Sequence, residues 1–541
     1  MLQGCVPWPE EAAARYRAAG YWRGEVLGGL TAETAKSDPG RIAIVAGGRR
    51  HTYAEVNERA DRLAAGLHAL GVRAGDRVVV QLPNSVEFVV LCLALFRLGA
   101  PPVLALPAHR RSEIGYLCSL TEAVAYVCPD VVQGFDYREM AREIGRDAPG
   151  LRHVLVAGDP AGFRSLDEVA EAVPAELPAP DPGEVAFFLL SGGTTGLPKL
   201  IPRTHDDYAF QIRATAEAMG FDENGVYLAA LPIAHNAALG CPGVLGALRA
   251  GGTAVLAGSP SPDEVFPLIA REGVTLTTLM PAFLPLWLDL ADLFDVDLSN
   301  LVIEVGGAKL QPEIAARVRP ELGATLTHWF GMAEGLLCFT RPQDPPEAPV
   351  HTQGRPLCPD DEMRVVDEDG RDVPAGAVGE LIARGPCLLR GYYRAPEYNE
   401  RAFTPDGYLR TGDLVSLTER GELVVEGRIK DVVNRGGEKV PAEEVEEHLL
   451  AHPAVRDVAV VAVPDRALGE KTCAVVVAAA GAEPPTLGGL RDFVQARGLA
   501  EYKLPDRLRF VDALPRTSIG KIDKVTLRRR FADRADPAQR R

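Results

Sequence analysis

Apolar positions along the chain alternate between two textures: short unbroken runs rich in β-branched and aromatic residues, and longer stretches with apolar residues at helical spacing. Asn57–Leu70 has the helical spacing, and Gly71-Val72-Arg73-Ala74-Gly75-Asp76 then turns the chain into the strand Arg77–Leu82. Asn84-Ser85-Val86-Glu87 reads as the next helix start, with Asn84 as N-cap and Glu87 reaching back to complete a capping box. Phe88–Phe96, flanked by Glu87 and Arg97, fits a buried helix and is too short to span a bilayer. A second unit ends in Leu104-Ala105-Leu106-Pro107, and Val124–Val127 and Val154–Ala157 are further strands. The prolines within Pro174–Pro182 mark a connector. Strands alternating with helices in this way predict an α/β fold with largely parallel sheets.

Beyond residue 350 the texture changes. Met363–Asp367, Gly379–Ala383 and Glu422–Glu426 are short strands between Gly/Pro turns, which predicts a small antiparallel β unit. From about residue 430 a helix (Glu443–Leu450), two strands (Val455–Pro464, Thr472–Ala479) and a helix (Leu487–Arg497) predict a compact α+β module. The boundary is expected near Arg428-Ile429-Lys430-Asp431, and the charged stretch Arg528–Arg541 is expected to fray.

Bulk properties narrow the function classes. A chain of 541 residues exceeds one core and suggests roughly three or four domain-sized units. With 58 basic against 74 acidic residues the net charge is −16, which argues against nucleic acid or anionic lipid as the main partner. The nine cysteines are scattered, odd in number and without a Cys-x-x-Cys pair. Free thiols in a reducing cytosol fit this better than disulfides or zinc. Pro7, Pro9, Glu10 and Glu11 stand where an export signal would need an apolar core, so the expected location is the cytoplasm, with no membrane partner.

The first chemical signal is Ser191-Gly192-Gly193-Thr194-Thr195-Gly196-Leu197-Pro198-Lys199, directly after the apolar run Val185–Leu190. Glycines let backbone N–H groups approach oxyanions, the hydroxyls donate further hydrogen bonds, and Lys199 adds positive charge, so the loop suits a polyphosphate. It is not a Walker loop, which needs Gly-Lys-Ser/Thr opening a helix; here Pro198 precedes Lys199 and Leu200 follows it. Taken alone, the loop reads equally as a Gly-rich turn with a solvated lysine.

Further segments remove that ambiguity. Gly306-Gly307-Ala308-Lys309 follows the strand Leu301–Val305, and Trp329-Phe330-Gly331-Met332-Ala333-Glu334 follows the strand Ala324–His328. Tyr408-Leu409-Arg410-Thr411-Gly412-Asp413, the stretch from Gly427 to Val440, and Pro515-Arg516-Thr517-Ser518-Ile519-Gly520-Lys521-Ile522-Asp523-Lys524 come after them. In this order they closely resemble the core motifs of adenylate-forming enzymes, the superfamily of acyl-CoA synthetases, peptide-synthetase adenylation domains and luciferases. The resemblance covers nearly the whole chain. Tyr21-Trp22-Arg23-Gly24, Leu231-Pro232-Ile233-Ala234-His235-Asn236, Phe330–Leu336 and Asn434–Lys439 narrow it to the stand-alone aryl-acid adenylating enzymes of siderophore and related pathways.

That resemblance implies an N-terminal adenylate-forming domain over 1–429, made of two helix-flanked β-sheets plus a small β-barrel-like unit at 350–429. It also implies a small mobile α+β lid over 430–541. The implied reaction uses ATP and Mg²⁺ to convert an aromatic carboxylic acid to its acyl adenylate. The acyl group then passes to the phosphopantetheine thiol of an aryl carrier protein. A carboxylate attacking an α-phosphate brings two anions together, so cations must surround both. Lys521 is implied as the lysine bridging them, in place of one more surface lysine, and Glu334 as the Mg²⁺ ligand, where a glutamate alone would more often cap a helix. Ser191, Gly192, Gly193, Thr194, Thr195, Gly196 and Lys199 are implied to hold the phosphates. Asp413 is implied to accept from the ribose hydroxyls, and Arg428 to reach ribose or phosphates. Gly307, Ala308, Trp329, Phe330, Gly331 and Ala333 shape the adenine pocket in this reading. His235 becomes a gate beside the acid, Lys430 the hinge of the lid, and Gly436 and Gly437 the pantetheine tunnel.

By the same resemblance the acid pocket comprises His235, Asn236, Ala237, Cys241, Gly307, Leu336 and Leu337. Asn236 can hydrogen-bond a hydroxyl ortho to the carboxylate. Cys241 stands where the 2,3-dihydroxybenzoate enzymes carry serine, and a thiol is a poor partner for a second hydroxyl. Ala237 replaces a bulky aromatic, which leaves room for an acid larger than salicylate. The expected substrate is thus a 2-hydroxyaryl acid such as salicylate, a substituted salicylate or a bicyclic hydroxyheteroaryl acid. An aryl-CoA ligase using free coenzyme A is the rival reading. A non-catalytic scaffold is the remote one, and it would be expected to lack Lys521, Glu334 or Asp413.

Overall fold

The computed structural model describes residues 1–532 except 192–197, 309, 436–437, 466–467, 498, 500–502 and 518–519. Two compact units emerge: Met1–Glu362 with Ala383–Leu409, and Met363–Ile382 with Arg410–Arg541.

In the first unit, the β-branched runs anticipated from the sequence become the strands of two large sheets. One has seven strands, ordered Leu200–Thr204, Val185–Leu190, Pro102–Leu104, Val78–Val80, Ala125–Pro129, His153–Ala157, Arg164–Ser165. Only its edge pair, Val185–Leu190 with Leu200–Thr204, is antiparallel. The other has nine strands. Thr325–Gly331, Val302–Gly306, Leu276–Leu279, Val226–Ala229, Thr253–Leu256 and Ile42–Ala46 lie side by side and parallel. Short antiparallel strands close both of its edges. Parallel strands buried on both faces need continuous apolar runs, and these sequences supply them. The core on the nine-stranded sheet centres on Phe266, Trp287 and Ile303, and that on the seven-stranded sheet on Tyr126, Phe188 and Val79. Burying each of these large apolar side chains contributes about 1.5–3 kcal/mol.

The helix Val86–Leu98 buries every residue except Glu87 and Arg97, as the apolar run and its charged flanks implied. Its cap differs from the sequence reading. Ser85, not Asn84, is the N-cap, its hydroxyl accepting from Phe88 N–H, and Glu87 turns outward to Arg59 instead of closing a capping box. Asn84 is used elsewhere. Its Nδ2 donates to the carbonyls of Ala229, Leu231 and Ala257 at 2.9–3.2 Å, and its Oδ1 accepts from Ile233 N–H at 2.9 Å. A residue just past a strand of one sheet thus meets backbone groups at the strand ends of the other, where the ladder runs out; of the four, the Ala229 carbonyl also accepts from Ala257 N–H at 3.1 Å.

The second unit holds a four-stranded sheet in the order Glu362–Val366, Gly379–Arg384, Leu409–Leu417, Leu423–Arg428, of which Leu409–Leu417 lacked a strand-like sequence pattern. It also holds a five-stranded sheet built on the long antiparallel pair Val455–Asp465 and Gly469–Ala478. Ala442–Leu450 and Leu487–Ala496 form the two anticipated helices. A third helix, Lys524–Ala532, corrects the expectation of fraying over 528–532; the rest of that stretch, 533–541, lies outside the described residues. Leu527 and Phe531 are buried in it, Lys524 pairs with Glu446 at 2.7 Å, and Arg528 pairs with Asp431. A charge-rich segment can be helical when two apolar residues one turn apart find a sheet to cover.

Asn84→Ala would remove the side-chain partner of four backbone groups at the sheet junction, of which the Ala229 carbonyl keeps its bond from Ala257 N–H. The expected cost is about 1–3 kcal/mol, read as a lower melting temperature of the variant, with Ser85→Ala losing less because only one cap bond goes.

Candidate active site

Ser191 and Lys199 close the base of the Gly-rich loop on each other: Ser191 N–H donates to the Lys199 carbonyl at 2.9 Å, and Lys199 N–H donates to Ser191 Oγ at 3.0 Å. Gly192, Gly193, Thr194, Thr195 and Gly196 lie outside the described residues. Lys199 Nζ sits 4.0 Å from the ring centroid of Tyr398, which packs edge-on against Tyr392 at 5.1 Å. Tyr392 Oη donates to Glu334 Oε1 at 2.8 Å. This tyrosine pair brings the loop lysine and Glu334 into one neighbourhood, and no sequence motif flagged it. Burial lowers the Lys199 pKa, opposed by the Glu334 carboxylate, and burial together with that carboxylate raises the Tyr392 phenol, so Tyr392 remains a donor.

The strand Thr325–Gly331 runs through Trp329 and Phe330 instead of stopping at His328. Both side chains are buried. Gly306 pairs with Trp329 across the parallel ladder, and Gly307 follows with φ +77°, where a Cβ would come within 3.0 Å of Met280 Cε. Ala308 beyond it is exposed. After Gly331 the chain reverses through Met332–Gly335, with Gly335 N–H donating to the Met332 carbonyl at 3.0 Å. Gly335 has φ +121°, and a Cβ there would strike the Cys387 carbonyl, so only glycine makes this turn. Glu334 therefore projects from a tight turn, not a helix end. Leu336 and Leu337 return buried into the sheet, Leu337 opposite Gly331.

His235 caps the short helix Asn236–Gly240, its Nδ1 accepting from Ala237 N–H at 3.3 Å, so in the neutral ring Nε2 carries the hydrogen. Asn236, Ala237 and Cys241 are all buried. Asn236 is already engaged: Oδ1 accepts from Tyr208 Oη at 2.9 Å and from Gln211 Nε2 at 3.3 Å, and Nδ2 lies 3.6 Å from Cys241 Sγ. Gln211 in turn accepts from Arg203, a guanidinium with no exposed surface. Arg203 also donates to Asp207 at 2.8 Å and to the Ala333 carbonyl at 3.1 Å. Burial opposes the charge on Arg203, but the Asp207 carboxylate and the other polar groups around it together outweigh burial, and the guanidinium stays protonated. Burial pushes the Cys241 thiol well above its ordinary value, so it is a neutral thiol. Arg203, Tyr208 and Gln211 were not read from the sequence; the available signal was an arginine within the strand Leu200–Thr204 and polar residues on the buried helix His205–Met219.

The remaining site residues belong to the second unit. Asp413 is nearly buried and pairs with Arg428 Nε at 2.7 Å, the two being register partners on adjacent strands. Lys521 closes a small hairpin, its N–H donating to Thr517 Oγ1 at 3.2 Å and its carbonyl accepting from Thr517 N–H at 2.7 Å. Lys430 lies in a single 3₁₀ turn, Ile429–Asp431, and Gly436 and Gly437 fall outside the described residues.

Comparison with known proteins decides the family. The AMP-binding enzyme family model matches residues 31–393, and the AMP-binding enzyme C-terminal domain matches 444–521. The chain belongs to the AMP-binding enzyme family. It is 55% identical over 529 residues to triostin synthetase I of Streptomyces triostinicus, covering 98% of each chain. It is 52% identical over 535 residues to the 2,3-dihydroxybenzoate-AMP ligase of Bacillus subtilis, covering 99% of each. Among solved structures, the apo structure of Mycobacterium smegmatis MbtA matches with a TM-score of 0.76 at 49% identity, covering 98% of this chain and 99% of that one. No helix among the described residues is long and apolar enough to cross a membrane.

One further buried acid lies in the strand that leads this AMP-binding enzyme to Gly307. Glu304 has no exposed surface, accepts from Thr278 Oγ1 at 2.8 Å through Oε2, and leaves Oε1 without a partner among the described residues. Burial, partly offset by the Thr278 bond, pushes its pKa from 4.5 up to about 8. The unfolded chain would lose this proton above pH 4.5 while the folded one keeps it, so the residue penalises folding increasingly from there to about pH 8. Glu304→Gln keeps the acceptor for Thr278 and removes the titration. Denaturant titrations should show the variant gaining on the parent by about 2–4 kcal/mol between pH 5 and pH 8; a gain independent of pH would contradict the assignment.

Proposed function

We propose that this enzyme activates a 2-hydroxyaryl carboxylic acid with ATP, forming the acyl adenylate and pyrophosphate, and then passes the acyl group to the phosphopantetheine thiol of an aryl carrier protein in siderophore or related nonribosomal or polyketide synthesis. One observation carries the reading. Arg203 reaches through Gln211 to Asn236 on one side and bonds the Ala333 carbonyl, next to Glu334, on the other. Asn236, assigned to the acid, and Ala333, assigned to the nucleotide, thereby belong to one hydrogen-bonded network.

In this reading, Lys199 and the loop it closes supply cationic and backbone donors to the phosphates. Glu334 is an oxygen donor of the kind a hard divalent cation prefers, and Mg²⁺ held there would neutralise phosphate charge. Gly307, Ala308, Trp329, Phe330, Gly331 and Ala333 form the adenine side, and Asp413 and Arg428 take the ribose. Lys521 screens the acid carboxylate from the α-phosphate as the new C–O–P bond forms. The module 430–541, turning about Lys430, withdraws it so that the thiol can enter past Gly436 and Gly437. His235 gates the acid.

Cys241 as a buried neutral thiol and Ala237 as a small buried side chain support an acid without a 3-hydroxyl and with bulk beyond salicylate. The relative named for 2,3-dihydroxybenzoate makes that acid the competitor to include. Acid-dependent ATP–pyrophosphate exchange should therefore favour salicylate, 6-methylsalicylate or 3-hydroxyquinaldate over 2,3-dihydroxybenzoate, and Lys521→Ala should lower it by at least about 10²-fold. Clear preference for 2,3-dihydroxybenzoate would overturn the substrate assignment. Faster thioester formation with free coenzyme A than with a pantetheinylated carrier would overturn the acceptor.

A further inference from the structure

Gln211 lies between two groups whose hydrogen-bonding polarity cannot change. The Arg203 guanidinium only donates, and the Gly240 carbonyl only accepts. Gln211 Oε1 accepts from Arg203 Nη2 at 2.9 Å, and Gln211 Nε2 donates to the Gly240 carbonyl at 2.8 Å. Turning the amide over would set N–H against guanidinium and carbonyl against carbonyl, so it has one orientation. Its second Nε2 hydrogen is directed at Asn236 Oδ1, which also takes the Tyr208 hydroxyl. Asn236 is oriented in consequence: both of its oxygen's bonds are made to the protein, and its NH₂ faces the other way, beside the Cys241 sulfur. A neutral thiol is a weak acceptor and takes at most one of those two hydrogens.

We propose that this relay makes Asn236 a donor-only contact, so that the pocket selects aromatic acids with a hydrogen-bond acceptor ortho to the carboxylate and rejects an ortho amino group. The inference rests on the assignment of His235–Cys241 to the acid pocket. A phenolic hydroxyl whose hydrogen turns to its own carboxylate offers oxygen lone pairs to Asn236 Nδ2, and a ring nitrogen adjacent to the carboxyl-bearing carbon does the same. An aryl amine has its lone pair drawn into the ring and presents N–H, so donor would face donor. Tyr208 and Gln211 act as positioning residues that decide the chemistry of a contact they do not make.

ATP–pyrophosphate exchange with salicylate, pyridine-2-carboxylate, anthranilate and benzoate tests this. In the unmodified enzyme, kcat/KM for anthranilate should lie about 10- to 100-fold below that for salicylate, with pyridine-2-carboxylate above benzoate. Asn236→Asp keeps acceptors for Tyr208 and Gln211 but offers the acid an acceptor, and should turn the preference toward anthranilate. Gln211→Glu should move the ratio in the same direction: the one proton of a neutral carboxyl goes to the Gly240 carbonyl, leaving Asn236 to donate to it and turn its oxygen to the acid. Equal use of anthranilate and salicylate by the unmodified enzyme would overturn the proposal, and that comparison stands whether or not either variant folds. Folded variants that slow every acid alike, leaving the ratio unmoved, would reduce Gln211 to a structural role and overturn it as well. No exchange with any aromatic acid would instead remove the acid-pocket assignment and take the inference with it.

Discussion

A guanidinium with no access to water is costly to bury unless its charge and its donors are all met, and in this enzyme that requirement organises the site. Arg203 meets Asp207, Gln211 and the Ala333 carbonyl, and its face lies 4.8 Å from the Tyr208 ring centroid. Arg203 itself lies on the strand after the Gly-rich loop, and its partners come from the helix that follows and the turn bearing Glu334. Removing one partner of a buried ion pair typically costs about 3–5 kcal/mol, so none of these elements can drift independently. Asp207 is doubly committed, because its other oxygen accepts from the backbone N–H and hydroxyl of Thr204 and completes the capping box of helix His205–Met219. Helix cap and ion pair share one carboxylate.

Two charges nearby are held differently. Lys199 and Glu334 are only partly buried and are spaced by Tyr398 and Tyr392 instead of forming a direct pair. An ion pair sealed in the protein would spend both charges on each other, whereas an aromatic spacer keeps the two charges near each other without direct contact. Asn84 has an analogous part in neutral form, ordering the segment that leads to His235 through backbone carbonyls of two neighbouring strands.

Most of the architecture was legible because burial on both faces forces unbroken apolar runs, and those runs are visible in one dimension. Val86–Leu98 and most strands of the seven-stranded sheet were anticipated within a few residues, whereas of the nine-stranded sheet only Val302–Gly306 and Thr325–Gly331 were. The departures share a cause. Ser85 and Asn84 are both good caps by type, and only the approach of a second sheet decides that Asn84 is needed elsewhere. Leu409–Leu417 and Lys524–Ala532 are polar enough to read as loop, and they become regular because a neighbouring strand or a few buried side chains accept them. The candidate chemistry was legible as well, since glycines in fixed order and isolated lysines and acids between strands form a recognisable series.

What the sequence determined by itself is therefore the strands and helices with the clearest periodicity, the family, and the residue types on offer at each motif. Those follow from local periodicity and from motifs contiguous along the chain. Which of those residues act together was decided only by the tertiary structure. Arg203 and Ala333 are separated by 130 positions and Tyr392 and Glu334 by 58, and each pair meets only once the sheets have formed. Hydrogen-bond polarity is likewise a property of a closed network. Asparagine has both a donor and an acceptor in the sequence, and Asn236 takes one orientation only when folding sets Gln211 between a guanidinium and a carbonyl.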